Sequence, residues 1–180
     1  MTTDQIEYSI REQKLKLDFY GNFSHYGIVA FLLILPITLI VIHLRNYFME
    51  SPNILKDGEF LFLSFPSALA FLFYILQKSR LKFKVIQTKL SQHELEPIIK
   101  KVAKELGWHI TSKKGQYIEA KTFPGFFSGS WGEHITIIFD HDKVLVNSIC
   151  DISKQPSVVS FGRNKKNVNK LIAEISKAST

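Results

Sequence analysis

Hydrophobic and polar positions follow three rhythms along this chain. Two apolar runs, Gly27–Leu44 and Phe60–Gln77, contain no Asp, Glu, Lys or Arg and are separated by a polar turn. At ~1.5 Å per residue, about 18 residues of helix cover roughly 27 Å, the lower edge of what crosses a bilayer. The pattern predicts a polar head over 1–24, a transmembrane helical hairpin over 25–78 and a soluble domain over 81–180.

Beyond the second run the period shortens to two. Leu81, Phe83 and Val85 alternate with Lys82 and Lys84, which predicts a strand. Ser91-Gln92-His93-Glu94 then has the form of a capping box. Behind it Leu95, Ile98, Ile99, Val102 and Leu106 recur at helical spacing up to Gly107, a natural terminator. Pro97 sits awkwardly inside this pattern, so the helix is expected to start late or to have a distorted first turn.

Four strands are predicted next, at Trp108–Ser112, Gln116–Thr122, Glu133–Phe139 and Val144–Cys150, paired as two antiparallel hairpins. A last helix, about Arg163–Lys177, carries Val168, Leu171, Ile172 and Ile175 at core spacing. The order β-α-β-β-β-β-α implies an α+β domain: an antiparallel sheet with two helices on one face.

The head is polar, and its acidic residues separate it from a cleavable signal. Ile6, Ile10, Leu17 and Phe19 suit a helix on the membrane surface, while Leu15–Phe19 equally suits a strand. Charge adds orientation. Residues 78–180 hold eighteen Lys and Arg against nine Asp and Glu, whereas residues 1–77 hold five against seven. Lys and Arg flank the outer ends of the two runs, and the turn between them is nearly balanced. The bias predicts an integral membrane protein of two spans with both termini in the cytoplasm. With a bilayer already present, anionic lipid is a nearer partner for the basic domain than nucleic acid.

Pro36 and Pro66 fall at similar depths, either as a hinge or as tolerated membrane prolines. Ser64 and Ala68 form a small-xxx-small pair suited to helix contact, including a homo-oligomer through the hairpin. Cys150 is the only cysteine, so no intrachain disulfide forms, and its strand position predicts a buried apolar role.

No pattern names a catalytic residue, a cofactor or a metal. Asp140-His141-Asp142 has ligand-type side chains but reads as a hairpin turn, and His109 and His134 fall in strands. Two loops stand out. Phe123–Gly132 combines three glycines with Phe126, Phe127 and Trp131, as a lid on the core, a membrane contact or a ligand mouth. The entrance to the last helix brings Ser160, Gly162, Arg163, Asn164, Lys165 and Lys166 together. Cations oppose the dipole there, and with Ser160 as a possible cap they suit a phosphate or carboxylate.

The polar head, hairpin and α+β domain together resemble small, uncharacterised bacterial membrane proteins. Leu106-Gly107-Trp108, Ile118-Glu119-Ala120 and Gly162-Arg163-Asn164-Lys165-Lys166 resemble a domain of unknown function with a similar helix–strands–helix order. That resemblance implies an inner-membrane location and brings no activity. Hairpin-anchored bacterial pleckstrin-like domains share the gross plan, but their strands precede a single helix, whereas a helix comes early here. The expected function is a membrane-anchored cytoplasmic module that binds an anionic lipid or a partner protein. The alternatives are an accessory subunit of a larger membrane complex and, less favoured, a membrane-surface enzyme.

Overall fold

The computed structural model describes residues 1–49, 58–125, 131–154 and 160–179. Among these, helices α1 (Thr3–Glu12), α2 (Phe19–Phe48) and α3 (Glu59–Arg80) come first. Strand β1 (Lys84–Gln87) and helix α4 (Gln92–Leu106) follow. Strands β2 (Trp108–Lys114), β3 (Tyr117–Thr122), β4 (Glu133–Asp140) and β5 (Lys143–Cys150) then lead to helix α5 (Arg163–Ala178). The chain divides into two compact units, Met1–His25 with Ser79–Thr180 and Tyr26–Lys78.

In the larger unit the five strands form one antiparallel sheet in the order β1-β5-β4-β3-β2. Alternation decides which side chains go to which face. Ile135, Ile137, Val144 and Val146 point to one face, where α4 and α5 cover them with Leu95, Ile99, Val102, Val168, Leu171 and Ile175. The α+β domain with two helices on one face is thus observed.

Capping explains where α4 starts and stops. Ser91 and Glu94 form a reciprocal capping box, and Gly107 ends the helix at φ 67°. Helix α4 therefore begins at Gln92 despite Pro97, whose exposed ring lies away from the core. The first strand begins later than its alternation suggests: Lys82 makes only an isolated bridge to Lys14, and the ladder starts at Lys84.

The opposite face of the sheet differs from a solvated one. Tyr117, Ile138, Leu145 and Ile149 are buried there with Leu15 and Phe83, and Ile6 and Ile10 of α1 pack over them. The head drawn at 1–24 is thus part of the sheet unit, because the sheet has a second apolar face that α1 and Leu15 cover. A capping box between Thr2 and Gln5 starts α1. At the start of α2, the Asp18 carboxylate accepts the Gly21 amide at 2.7 Å.

The smaller unit contains the two apolar stretches, and α2 and α3 are long and apolar enough to cross a membrane. They run antiparallel: Tyr26 stacks near Tyr74 at one end, and His43 lies 3.3 Å from Glu59 at the other. Both prolines lie inside helices. Each is followed by a hydroxyl that bonds back to the preceding turn, Thr38 to the Ile34 carbonyl at 2.8 Å and Ser67 to that of Leu63 at 2.6 Å. These are back-bonds from a hydroxyl to the carbonyl four residues earlier, close to each proline. Of the small residues in α3, Ala70 is fully buried, while Ala68 of the small-xxx-small pair is exposed.

Candidate anion-binding groove

The stretch that leaves α3 is held to the sheet by one side chain. Asn147 of β5 is buried, and its amide donates both protons, to the Arg80 carbonyl at 2.8 Å and the Lys82 carbonyl at 2.9 Å. Beyond this clamp β1 pairs with β5, setting Lys84 opposite Val146.

The first turns of α5 are fixed by a chain of polar contacts. Trp108 Nε1 donates to Asn167 Oδ1 at 3.1 Å, and Asn167 Nδ2 donates to Ser148 Oγ at 3.1 Å. Ser148 in turn donates to Asn164 Oδ1 at 3.0 Å. Asn164 Nδ2 lies 3.9 Å from the sulfur of Cys150, which is buried as expected. Every member of the chain with a buried polar atom is thereby matched.

Between these two anchored segments lies a groove of about 470 Å³. Arg80, Lys82 and Lys84 line one side, Lys165 the other, and Ser148 and Ser160 contribute hydroxyls. Among the described residues no Asp or Glu lines it. Elsewhere on this unit some lysines are matched with carboxylates, Lys101 with Glu174, Lys113 with Glu96, Lys121 with Asp151 and Lys170 with Glu105, all within 3.1 Å. Among the described residues Lys82, Lys84 and Lys165 have no such partner. A carboxylate-free recess between unpaired ammonium groups is complementary to a compact anion.

The residues singled out at the α5 entrance are divided by the helix period. Ser160, Gly162, Asn164 and Lys165 line the groove. Arg163 and Lys166 belong instead to a separate pocket of about 360 Å³, together with Glu105, Glu133 and Thr122. Glu133 is fully buried, accepts the Thr122 hydroxyl proton, and donates its own amide to Thr122 Oγ1 at 2.8 Å. Two carboxylates beside two cations make that pocket nearly charge-balanced. Ser160 is not a side-chain cap. Gly162, at φ 79°, occupies the cap position without a side-chain bond, and Ser160 supplies its carbonyl to the Arg163 amide at 2.9 Å.

Arg80, Lys82 and Lys84 are groove residues that sequence reasoning used for membrane orientation and, in the case of the two lysines, for a predicted strand, but not for a site.

The remaining candidates are dispersed. His141 is almost fully exposed at the tip of the β4–β5 turn, at φ 48°. His109 stacks edge-on to Phe123 at 5.1 Å. His134 Nε2 lies 3.5 Å from Glu119 at a small pocket under the head. That imidazole holds the Glu119 carboxyl below its usual range, against the burial that pushes it up. Trp131 is half-exposed, and Phe126 and Phe127 lie outside the described residues.

Comparison with protein-family models, curated proteins and solved structures finds no match to this chain. The groove is therefore read from its own chemistry.

Proposed function

We propose that this protein is a membrane-anchored module whose sheet unit binds the phosphate-bearing headgroup of an acidic phospholipid in the groove beside α5. The observation that carries this reading is the unbalanced charge of the groove: Arg80, Lys82, Lys84 and Lys165 converge on one recess with no Asp or Glu among its described lining residues.

Chain connectivity favours a lipid as the source of the anion. Ser79 and Arg80 follow the apolar stretch after Lys78 alone, and a chain rises at most ~3.5 Å per residue, so the groove wall begins within several ångströms of the point where α3 would leave a bilayer. The flank charges favour the cytoplasmic leaflet, whose anionic lipids suit a basic surface. Both ends of the hairpin enter one folded unit, which requires an even number of crossings and so supports two spans with both termini on one side.

The test uses the full chain in nonionic micelles, titrated with short-chain acidic and choline phospholipids. Each cation near an anionic surface contributes about 1 kcal/mol, so the triple variant Lys82→Gln, Lys84→Gln, Lys165→Gln should bind the acidic lipid about a hundredfold more weakly. The double variant Arg163→Gln, Lys166→Gln, which alters the balanced pocket, should change affinity by less than about threefold. Equal losses from the two variants, or no preference for the acidic lipid, would refute the assignment.

A further inference from the structure

We infer that Phe161 is an interfacial anchor, entering the bilayer beside the lipid whose headgroup occupies the groove. This rests on the headgroup reading above and adds a second, apolar half to the recognition. Ser160 to Arg163 form a tight turn, closed by the bond from the Arg163 amide to the Ser160 carbonyl at 2.9 Å. Its two central residues, Phe161 at φ 46° and Gly162 at φ 79°, both lie in the left-handed region. A turn of this kind favours Gly, Asn or Asp at its first central position, because a bulky L side chain crowds the backbone there. This chain instead holds a phenylalanine at that position, and the ring is 70% exposed. Backbone strain and bare aromatic surface are both unfavourable in water, and burial of the ring in an apolar medium would offset them.

The surroundings specify that medium. Residues on either side of Phe161, Ser160 and Gly162, line the groove, so Phe161 sits in the turn at its rim without lining it. Across the groove are Arg80, Lys82 and Lys84, the first residues after the apolar stretch of α3. A phosphate at those cations sits at headgroup depth, and an aromatic ring beside it reaches the acyl-chain boundary, where such rings are favoured. A soluble anion would use the cations alone and leave the ring in water.

The test places the full chain with Phe161→Trp in nanodiscs whose lipids carry bromine near the top of the acyl chains, with the parent protein measured in parallel. Bromine quenches indole on contact, so in discs containing acidic lipid the added fluorescence should fall at least about twofold. In all-choline discs, or with Lys82→Gln, Lys84→Gln and Lys165→Gln, the quenching should be lost. An added tryptophan that stays unquenched in acidic discs, with the emission of indole in water, overturns the anchor. Equal quenching in choline discs overturns its coupling to the headgroup.

A second variant separates this inference from the groove itself. Phe161→Ser in nonionic micelles should leave affinity for glycerol phosphate within about twofold, yet weaken long-chain acidic phospholipid about tenfold, as expected for loss of an apolar contact. Parent protein that fails to bind glycerol phosphate overturns the headgroup reading. Equal affinity of parent and Phe161→Ser for the long-chain lipid overturns only the anchor.

Discussion

Replacing Asn147 by alanine tests the clamp that shapes the groove. Its amide is the donor to two backbone carbonyls, those of Arg80 and Lys82, and it sits at 2% exposure. Both bonds are partly buried, and each carbonyl deprived of its donor costs about 1–3 kcal/mol, so the pair amounts to about 4 kcal/mol. Among the described residues Asn147 Oδ1 has no partner of its own, and removing that unsatisfied atom returns about 1 kcal/mol. The net loss is about 3 kcal/mol. With a urea slope of about 2 kcal/mol/M, the unfolding midpoint of the sheet unit should drop by about 1.5 M.

Fluorescence of the full chain in nonionic micelles reports this selectively, because both tryptophans, Trp108 and Trp131, lie in the sheet unit. The buried Trp108 supplies the sensitive signal. Asn147→Asp keeps the shape but places an acceptor against two acceptors, and should unfold at still lower urea. A midpoint within about 0.3 M of the parent for Asn147→Ala would refute the clamp, and with it the account of how the groove wall is held.

Two further outcomes are expected. Burial pushes the Asp151 carboxyl up, but its bonds to Ser153 and Lys121 outweigh this and hold it below the usual range. A depressed folded-state value means stability that is complete above the unfolded value of about 3.9 and lost as pH falls through the folded one, so Asp151→Asn should be less stable than the parent at pH 7 and lose less on acidification, read as melting temperature at pH 7 and pH 3. For the proposed topology, a cysteine introduced at Asn53 should react with an impermeant reagent from outside the cell while a reporter fused after Thr180 is active only in its cytoplasmic form, and the opposite labelling would refute the orientation.

The elements with local signatures were legible in the sequence. Ser91, Glu94 and Gly107 delimit α4 through bonds within a few residues, and the alternation around Ile135 and Ile137 finds β4. The second cover on the sheet was missed because α1 shows only Ile6 and Ile10 on a short polar segment. A signal did exist in β5, where Leu145 and Ile149 alternate with Val144, Val146 and Ser148, so that both faces of the strand need burial. A domain cut at residue 81 would therefore leave Ile138, Leu145 and Ile149 without α1. The groove was half legible. The cations at 163, 165 and 166 read as a cluster in the sequence, but a helix turns ~100° per residue and sends Lys165 away from the other two. The opposite wall comes from some eighty residues earlier in the sequence, and only β1–β5 pairing and Asn147 bring it across.

That α1 belongs to the same unit as β5 has a consequence for how the chain is made. The first helix leaves the ribosome long before Leu145 and Ile149, the residues it covers, exist. At about 5–20 residues per second the wait is on the order of ten seconds or more, and both apolar stretches are synthesised within it. During that interval Ile6 and Ile10 have no sheet to rest on, while, in the proposed membrane reading, the apolar stretches would be entering the bilayer. A short helix with only two large aliphatic residues on a polar background is well suited to this delay, since it can stay solvated until the sheet closes behind it. Strengthening its apolar face would favour earlier association with the bilayer surface and compete with assembly of the finished unit.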